Sequence, residues 1–404
     1  MRQIAGGVCA SKGFKASGVH CGIRKNRDKP DLALITSDVD CSVACVYTQN
    51  KVKGSPIIVT QKNVANGKAR AIICNSGNAN TCNADGEEKA MMMCKLVEEY
   101  TGINANDVVV ASTGVIGQTL DITPIQRGMK NLVENLSAKN SRKAARAIMT
   151  TDTELKEKAY VFKIGDKVCR IGCIAKGSGM IHPNMATMLC FITTDVNITP
   201  EMLSWALKKS VVTTFNMVSV DGDTSTNDMV TVLASGLAGN DLISEKGKDL
   251  NKVVTALKRA MTDMSRAIAK DGEGATKLIE CRVYGANSKV MARDVAKNVV
   301  SSSLVKAALF AADANWGRIL CAIGYSNGNF DVSKIDVDIK SKVGAIPVCR
   351  NGVGVEIDET AAHLILGEDE VKIIVNCNQG ASKAVAWGCD LTYEYVRINA
   401  DYRT

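Results

Sequence analysis

The stretch Ala175–Thr193, AKGSGMIHPNMATMLCFIT, holds residues whose types and spacing can do chemistry. Thr187 follows a small residue, Ala186, shortly after a Pro-Asn pair, and leads into an apolar run that reads as a strand. A threonine hydroxyl is a weak nucleophile until a base stands beside it, and a threonine at a chain N-terminus carries that base as its own α-amine. Such an amine has an unperturbed pKa of about 7.7–8.0, close enough to neutrality to exchange protons. An internal threonine gains the amine only when the peptide bond before it is cut, so Ala186-Thr187 reads as a self-cleavage point. On residue type alone, Thr187 is equally the first residue of a buried strand. Lys176 stands eleven residues earlier. Beside a nucleophile its cation can bind a substrate carboxylate or lower the pKa of the amine; the plainer alternative is a solvated loop lysine.

Other nucleophiles fit less well. There are three histidines, and the GSG at Gly177–Gly179 is no nucleophile elbow because Lys176 stands where the first glycine belongs. The fifteen cysteines are odd in number, form no C-x-x-C pair and sit mostly in apolar runs such as AIICNS and IPVCR. They read as buried, reduced thiols, and no metal site is expected. Gly114, behind Thr113 in ASTGVIG, can bring a main-chain N–H close to a reacting carbonyl, with the Thr113 hydroxyl as a second donor; an ordinary strand exit is the alternative.

These residues need a sizeable scaffold. The chain has 404 residues, 46% hydrophobic and 23% charged, with 4% aromatic, so its core is mostly aliphatic. Six prolines leave no room for long linkers. The net charge of +8 is scattered, which argues against a nucleic-acid footprint and suits anionic small molecules. No apolar run approaches membrane-spanning length, and the N-terminus lacks a leader's apolar stretch, so a soluble, cytoplasmic protein is expected.

Strands and helices interleave along the chain. LALITSD, SVACVYT, PIIVTQ, RAIICNS and DVVVAS read as strands. A helix opens at Asp85 or Gly86, and others follow near 122–137 and 141–150. KAYVFKIGDKVCRIGCIAKG reads as a hairpin turning at Gly165-Asp166, and MLCFITTD as a central strand. Thr199-Pro200 starts a helix. DMVTVLAS is a strand, and a long amphipathic helix precedes DGEGATK. TKLIECRVYG is a strand before helices across 289–312, and GRILCAIG, KIDVDIK, IPVCR, VKIIVNC and DLTYEYVRIN read as later strands. No G-x-G-x-x-G or P-loop occurs. The expected class is α/β, an α+β layered sandwich.

KGSGMIHPNMATML resembles the signature of the ornithine acetyltransferase family, also called the glutamate N-acetyltransferase or arginine-biosynthesis bifunctional family. GGVCASKGFKASGVHCGIRKNRDKPDLALITSD, CNSGNANTCNADG, STGVIG, IMTTDT, VSVDGDTSTNDMV, DGEGATK, AADANWGRI and VRINADYRT resemble its other blocks in the family's order, from about residue 5 to the end.

The resemblance implies a layered fold like that of N-terminal-nucleophile hydrolases. It implies self-cleavage between Ala186 and Thr187, giving an alpha chain of residues 1–186 and a beta chain of 187–404 that together build one catalytic body, usually as α2β2. Thr187 would carry the acetyl group from N-acetylornithine to glutamate in a ping-pong cycle, with Thr113 and Gly114 as oxyanion donors. Thr150, Lys176, Thr187, Glu273, Asn399 and Thr404 match substrate-binding positions; Thr151 is the alternative to Thr150, and Asp152 reads equally as a cap or turn residue. Some family members also use acetyl-CoA as donor, so acetyl-CoA stands as a co-substrate, and no prosthetic group is implied. His182 has no assigned role. An amidase or aminopeptidase using the same threonine, and an uncleaved amino-acid-binding protein, are the rival readings.

Overall fold

The computed structural model describes residues 1–182 and 188–400. The chain forms two compact units. The first comprises Met1–Gly177, Asn184–Val212 and Thr224–Met264, and the second Ser178–Pro183, Thr213–Asp223 and Ser265–Thr404. Each unit therefore draws residues from both sides of position 187.

The first unit is built on a sheet of nine strands among the described residues. Its order is Arg2–Ile4, Lys156–Ile164, Lys167–Lys176, Leu189–Thr194, Met229–Ala234, Leu32–Tyr47, Lys68–Asn75 and Val108–Ser112, with Phe14–Val19 also paired to Leu32–Tyr47. Most neighbours are antiparallel; Leu189–Thr194 with Met229–Ala234, and Lys68–Asn75 with Val108–Ser112, run parallel. Both faces are covered. Ala33, Ile35, Ile72, Val109 and Ala111 pack with the helix Ser141–Ala147 on one side. Leu32, Leu34, Ile73, Val108 and Val110 pack with Met93, Val97, Ile125 and Met129 of the helices Gly86–Thr101 and Thr123–Glu134 on the other. Burial on two faces explains the unbroken apolar runs. Leu189–Thr194, buried at every residue, is central as its sequence predicts. Thr199 caps the helix Pro200–Val211, accepting from the Met202 N–H at 3.4 Å.

The second unit carries a seven-stranded sheet in the order Val353–Gly354, Ala345–Arg350, Asp336–Lys340, Glu370–Asn376, Leu278–Ala286, Ser382–Cys389 and Val218–Ser219. Val371, Ile373 and Val375 are buried and alternate with half-buried residues, the mark of a sheet with one covered face. The helix Lys289–Ser301 packs on Leu278–Ala286 and Ser382–Cys389.

The α/β expectation holds, with local corrections. LALITSD and SVACVYT form one strand, Leu32–Tyr47. PIIVTQ is helical, within Ser55–Asn63. Pro56 suits a first helical turn, and burial of Ile57, Val59, Thr60 and Asn63 overrides the β-branched propensity. GRILCAIG is also helical, within Trp316–Gly324, because Asn315 caps it and Ile319, Ala322 and Ile323 share a buried stripe. DLTYEYVRIN contains the helix Tyr393–Ala400, and the last strand among the described residues is Ser382–Cys389. Tyr393 and Val396, one helical turn apart, are both exposed, so the alternation of large residues marks no sheet face. All fifteen cysteines are free thiols. Among the described residues no helix is long and apolar enough to cross a membrane.

Candidate active site

In the first unit, the buried strand Val108–Ser112 ends at Thr113-Gly114. The Thr113 N–H donates to the Asn75 carbonyl at 3.0 Å. The group Thr113 has left to offer is its hydroxyl, which makes no hydrogen bond among the described residues. Asn75 also donates its Nδ2 to the Ser112 hydroxyl at 2.7 Å. Gly114 has φ +134°, and a Cβ there would lie 2.6 Å from the Gly77 carbonyl carbon. Only glycine fits this turn. Asn227, 5% exposed, holds the turn from outside its own strand: its Nδ2 donates to the Ser112 carbonyl at 2.9 Å and the Ala79 carbonyl at 2.5 Å.

Lys176 is the last residue of Lys167–Lys176 and pairs in register with Leu189. Its Nζ donates to the Thr150 hydroxyl at 3.4 Å, so Thr150 is the threonine that meets it. Asp152 organises both. It accepts the Thr150 N–H at 3.0 Å, the Gly177 N–H at 2.7 Å and the Lys156 Nζ at 2.7 Å. Burial alone would raise its pKa, but the charges of Lys156 and Lys176 and the Gly177 amide outweigh burial and hold it at about 2. Asp152 is therefore a hub of hydrogen bonds, beyond a simple cap.

Asp228 is a second buried carboxyl in this unit. Burial pushes its pKa well above the carboxylate range, opposed by the Lys176 charge and by hydrogen bonds from Ser225 and the Met188 amide. Its Oδ2 has no hydrogen-bond partner among the described residues. Sequence reasoning passed over Asn227 and Asp228, although both lie in the block VSVDGDTSTNDMV; nothing in their types separates them from turn residues.

In the second unit, Glu273 is 7% exposed rather than a solvated turn residue. Its N–H donates to the Ser178 carbonyl at 3.1 Å, and its Oε2 accepts the Asn399 Nδ2 at 2.8 Å. Gly179 allows this arrangement, since a Cβ there would stand 2.3 Å from the Glu273 carboxyl carbon. His182 Nδ1 lies 3.0 Å from the Ser219 hydroxyl. Burial, then the Lys297 charge, lowers its pKa to about 4, so His182 is neutral at physiological pH. Ala186, Thr187 and Thr404 lie outside the described residues.

Hydrogen-bonded threonine, lysine and carboxylate groups gathered at strand ends of the first unit are the chemistry that this α/β protein presents. The chain belongs to the ArgJ family, whose pattern matches residues 15–404. It is 49% identical over 392 residues to the arginine biosynthesis bifunctional protein ArgJ 1 of Clostridium acetobutylicum, covering 97% of this chain and 96% of that one. It is 47% identical over 405 residues to the corresponding protein of Caldanaerobacter subterraneus subsp. tengcongensis, covering both completely. Among solved structures, it resembles the arginine biosynthesis bifunctional protein argJ of Bacillus halodurans, at 49% identity and a TM-score of 0.50. That match covers 53% of this chain and 99% of the other.

Proposed function

We propose that this enzyme transfers an acetyl group from N-acetylornithine to glutamate in arginine biosynthesis. The observation that carries the reading is near-full-length identity to proteins named for arginine biosynthesis. In the first half-reaction the Thr187 hydroxyl attacks the acetyl carbonyl and its proton passes to the α-amine. The amide C–N bond breaks, the departing nitrogen takes that proton, and ornithine leaves an acetyl ester on Thr187. Glutamate's amine then attacks the ester and restores the hydroxyl. The Thr113 hydroxyl and the Gly114 main chain stabilise the oxyanion of both tetrahedral intermediates. Lys176 and Thr150 bind a substrate polar group, and Glu273, steadied by Asn399, holds the ornithine ammonium. Thr404 is a further substrate contact.

The nucleophile is released by cleavage between Ala186 and Thr187, giving an alpha chain of 1–186 and a beta chain of 187–404 that assemble as α2β2 in the cytoplasm. The Bacillus halodurans chain supports the cut, since 99% of its length spans 53% of this one, as expected of a fragment from a mid-chain cleavage. Acetyl-CoA serves as a second donor, which suits the bifunctional names of the relatives.

Intact mass of the denatured protein tests cleavage, and Thr187→Ala should remain one chain without activity. Assays with N-acetylornithine, with and without glutamate, test transfer. Release of acetate at the same rate without glutamate would make the enzyme an amidase, and a single inactive chain would make it a binding protein. Acetyl-CoA with glutamate as the only acceptor tests the second donor.

A further inference from the structure

The segment Ser178–His182 leads into the proposed cleavage point and is held, in the second unit, by a short piece of chain from Ser219 to Asp221. The hold is made almost residue by residue. Both oxygens of Asp221 are used on successive main-chain amides: Oδ2 accepts the Met180 N–H at 2.6 Å, and Oδ1 accepts the Ile181 N–H at 2.8 Å. The Val220 N–H donates to the Ile181 carbonyl at 2.6 Å, and the Val220 carbonyl accepts the buried Lys306 ammonium. His182 reaches the Ser219 hydroxyl. The holding piece is itself anchored, because Val218–Ser219 is the edge strand paired with Ser382–Cys389.

What is held is strained. Met180 has φ +56°, a left-handed conformation that a long side chain with a Cβ adopts reluctantly. Met180 is 42% exposed, so burial offsets only part of the cost. Such a conformation persists only where its surroundings over-determine it, and such places cluster at functional sites. Ser178 on the other flank is also fixed, donating to the Asp271 carbonyl at 2.7 Å and accepting the Glu273 N–H.

We propose that Asp221 is a positioning residue for self-cleavage: its carboxylate locks the left-handed turn at Met180 and so fixes the backbone of Ser178–His182, the segment that precedes the cleavage point. The inference rests on the self-cleavage reading above. In self-cleavage the Thr187 hydroxyl attacks the Ala186 carbonyl carbon, the Ala186–Thr187 C–N bond breaks as the hydroxyl proton passes to the freed amine, and water hydrolyses the resulting ester to an Ala186 carboxylate and a free Thr187 hydroxyl. The first, intramolecular attack depends steeply on orientation, so releasing the turn should slow it.

The experiment follows conversion of freshly made precursor to two chains by intact mass, alongside the melting temperature of each variant. Asp221→Asn should slow conversion by about tenfold or more. Met180→Gly alone should convert at close to the wild-type rate. Met180→Gly combined with Asp221→Asn should recover much of the loss, because glycine occupies the turn without a clamp. A role in stability alone predicts that conversion follows the melting temperature from variant to variant, whereas a positioning role slows conversion in an Asp221→Asn protein that is fully folded at the assay temperature. Wild-type conversion by Asp221→Asn, or a double variant as slow as Asp221→Asn, overturns the inference while leaving self-cleavage standing. A wild-type protein that stays one chain, like Thr187→Ala, rejects the self-cleavage reading itself and this inference with it. Should Asp221→Asn fail to fold, the folded Asp221→Ala variant with and without Met180→Gly gives the same comparison, with rescue expected and its absence overturning the inference.

Discussion

Asn227 donates its side-chain amide to the main-chain carbonyl of Ser112 at 2.9 Å, one residue before Thr113. The same nitrogen reaches the Ala79 carbonyl, and Oδ1 accepts the Thr81 and Thr226 hydroxyls, each at 2.6 Å. One buried side chain thus joins the segment before Asp228 to the turn assigned to the oxyanion. Asn227→Ala would remove all four bonds; Thr81 keeps a longer bond to the Ala79 carbonyl at 3.3 Å and Thr226 one to Thr81 at 3.4 Å, so the cost falls mainly on the Ser112 carbonyl, at about 1–3 kcal/mol. Asn227→Asp should be worse, because a carboxylate only accepts and would face two carbonyl oxygens. Denaturant melts should rank wild type above Asn227→Ala above Asn227→Asp. The folded Asn227→Ala variant should lose kcat more than KM.

The Thr113 hydroxyl gives a second prediction. Thr113→Ala should slow acetyl transfer by roughly 10²–10³-fold, with KM changed less, because an oxyanion donor acts mainly in the transition state. Thr113→Ser keeps the hydroxyl and should keep most of the rate. Gly114→Ala should be destabilising as well as inactive, since its Cβ would meet the Gly77 carbonyl at 2.6 Å with φ at +134°. An unchanged kcat with a raised KM in Thr113→Ala would make the hydroxyl a ground-state contact.

The parts of the fold that were legible are those where local chemistry and packing agree. The Gly165-Asp166 hairpin, the Thr199 cap and the fully apolar strand Leu189–Thr194 announce themselves. Ser55–Asn63 and Trp316–Gly324 did not, because their β-branched and aliphatic residues fit either element until burial decides. Of the proposed site residues, Thr150, Lys176, Thr113 and Glu273 were singled out through motifs. Asp152 was named but left between roles, and Asn227, Asp228 and Asp221 were missed. Asp152, Asp221 and Asn227 reach partners 25, 41 and 148 residues away in sequence, and spacing carries no trace of that.

Two buried aspartates near Lys176 respond oppositely to their surroundings, and a pH experiment separates them. Asp152 is held low, at about 2, so its contribution to stability is present above the unfolded carboxylate pKa and is lost as pH falls toward 2. Asp228 is raised by burial, so the folded chain holds a proton there that the unfolded chain releases above about pH 4. The Asp228 term therefore weakens the fold as pH rises through that window. Asp228→Asn, uncharged throughout, should raise the melting temperature at pH 7 and show a smaller advantage near pH 4. An advantage that is constant across this range would mean that Asp228 is ionised in the fold as it is in the unfolded chain.

The last prediction concerns the Asn399–Glu273 pair. Asn399 stands on the helix Tyr393–Ala400, and its Nδ2 donates to Glu273 Oε2 at 2.8 Å and to the Tyr395 carbonyl at 3.0 Å. The first bond fixes which way the Glu273 carboxylate faces. If that carboxylate holds the ornithine ammonium, Asn399→Ala should raise KM for N-acetylornithine by about tenfold, the worth of one charge-assisted hydrogen bond, and leave kcat nearer its original value. Acetylation by acetyl-CoA, which presents no such ammonium, should change less. Deleting 401–404 keeps Asn399 and its bond to Glu273, so any loss of transfer in that variant is owed to the deleted residues, Thr404 among them. Self-cleavage should survive both changes, checked by intact mass. Equal losses with N-acetylornithine and acetyl-CoA in Asn399→Ala would show that Glu273 serves the fold or the acceptor rather than the ornithine side chain.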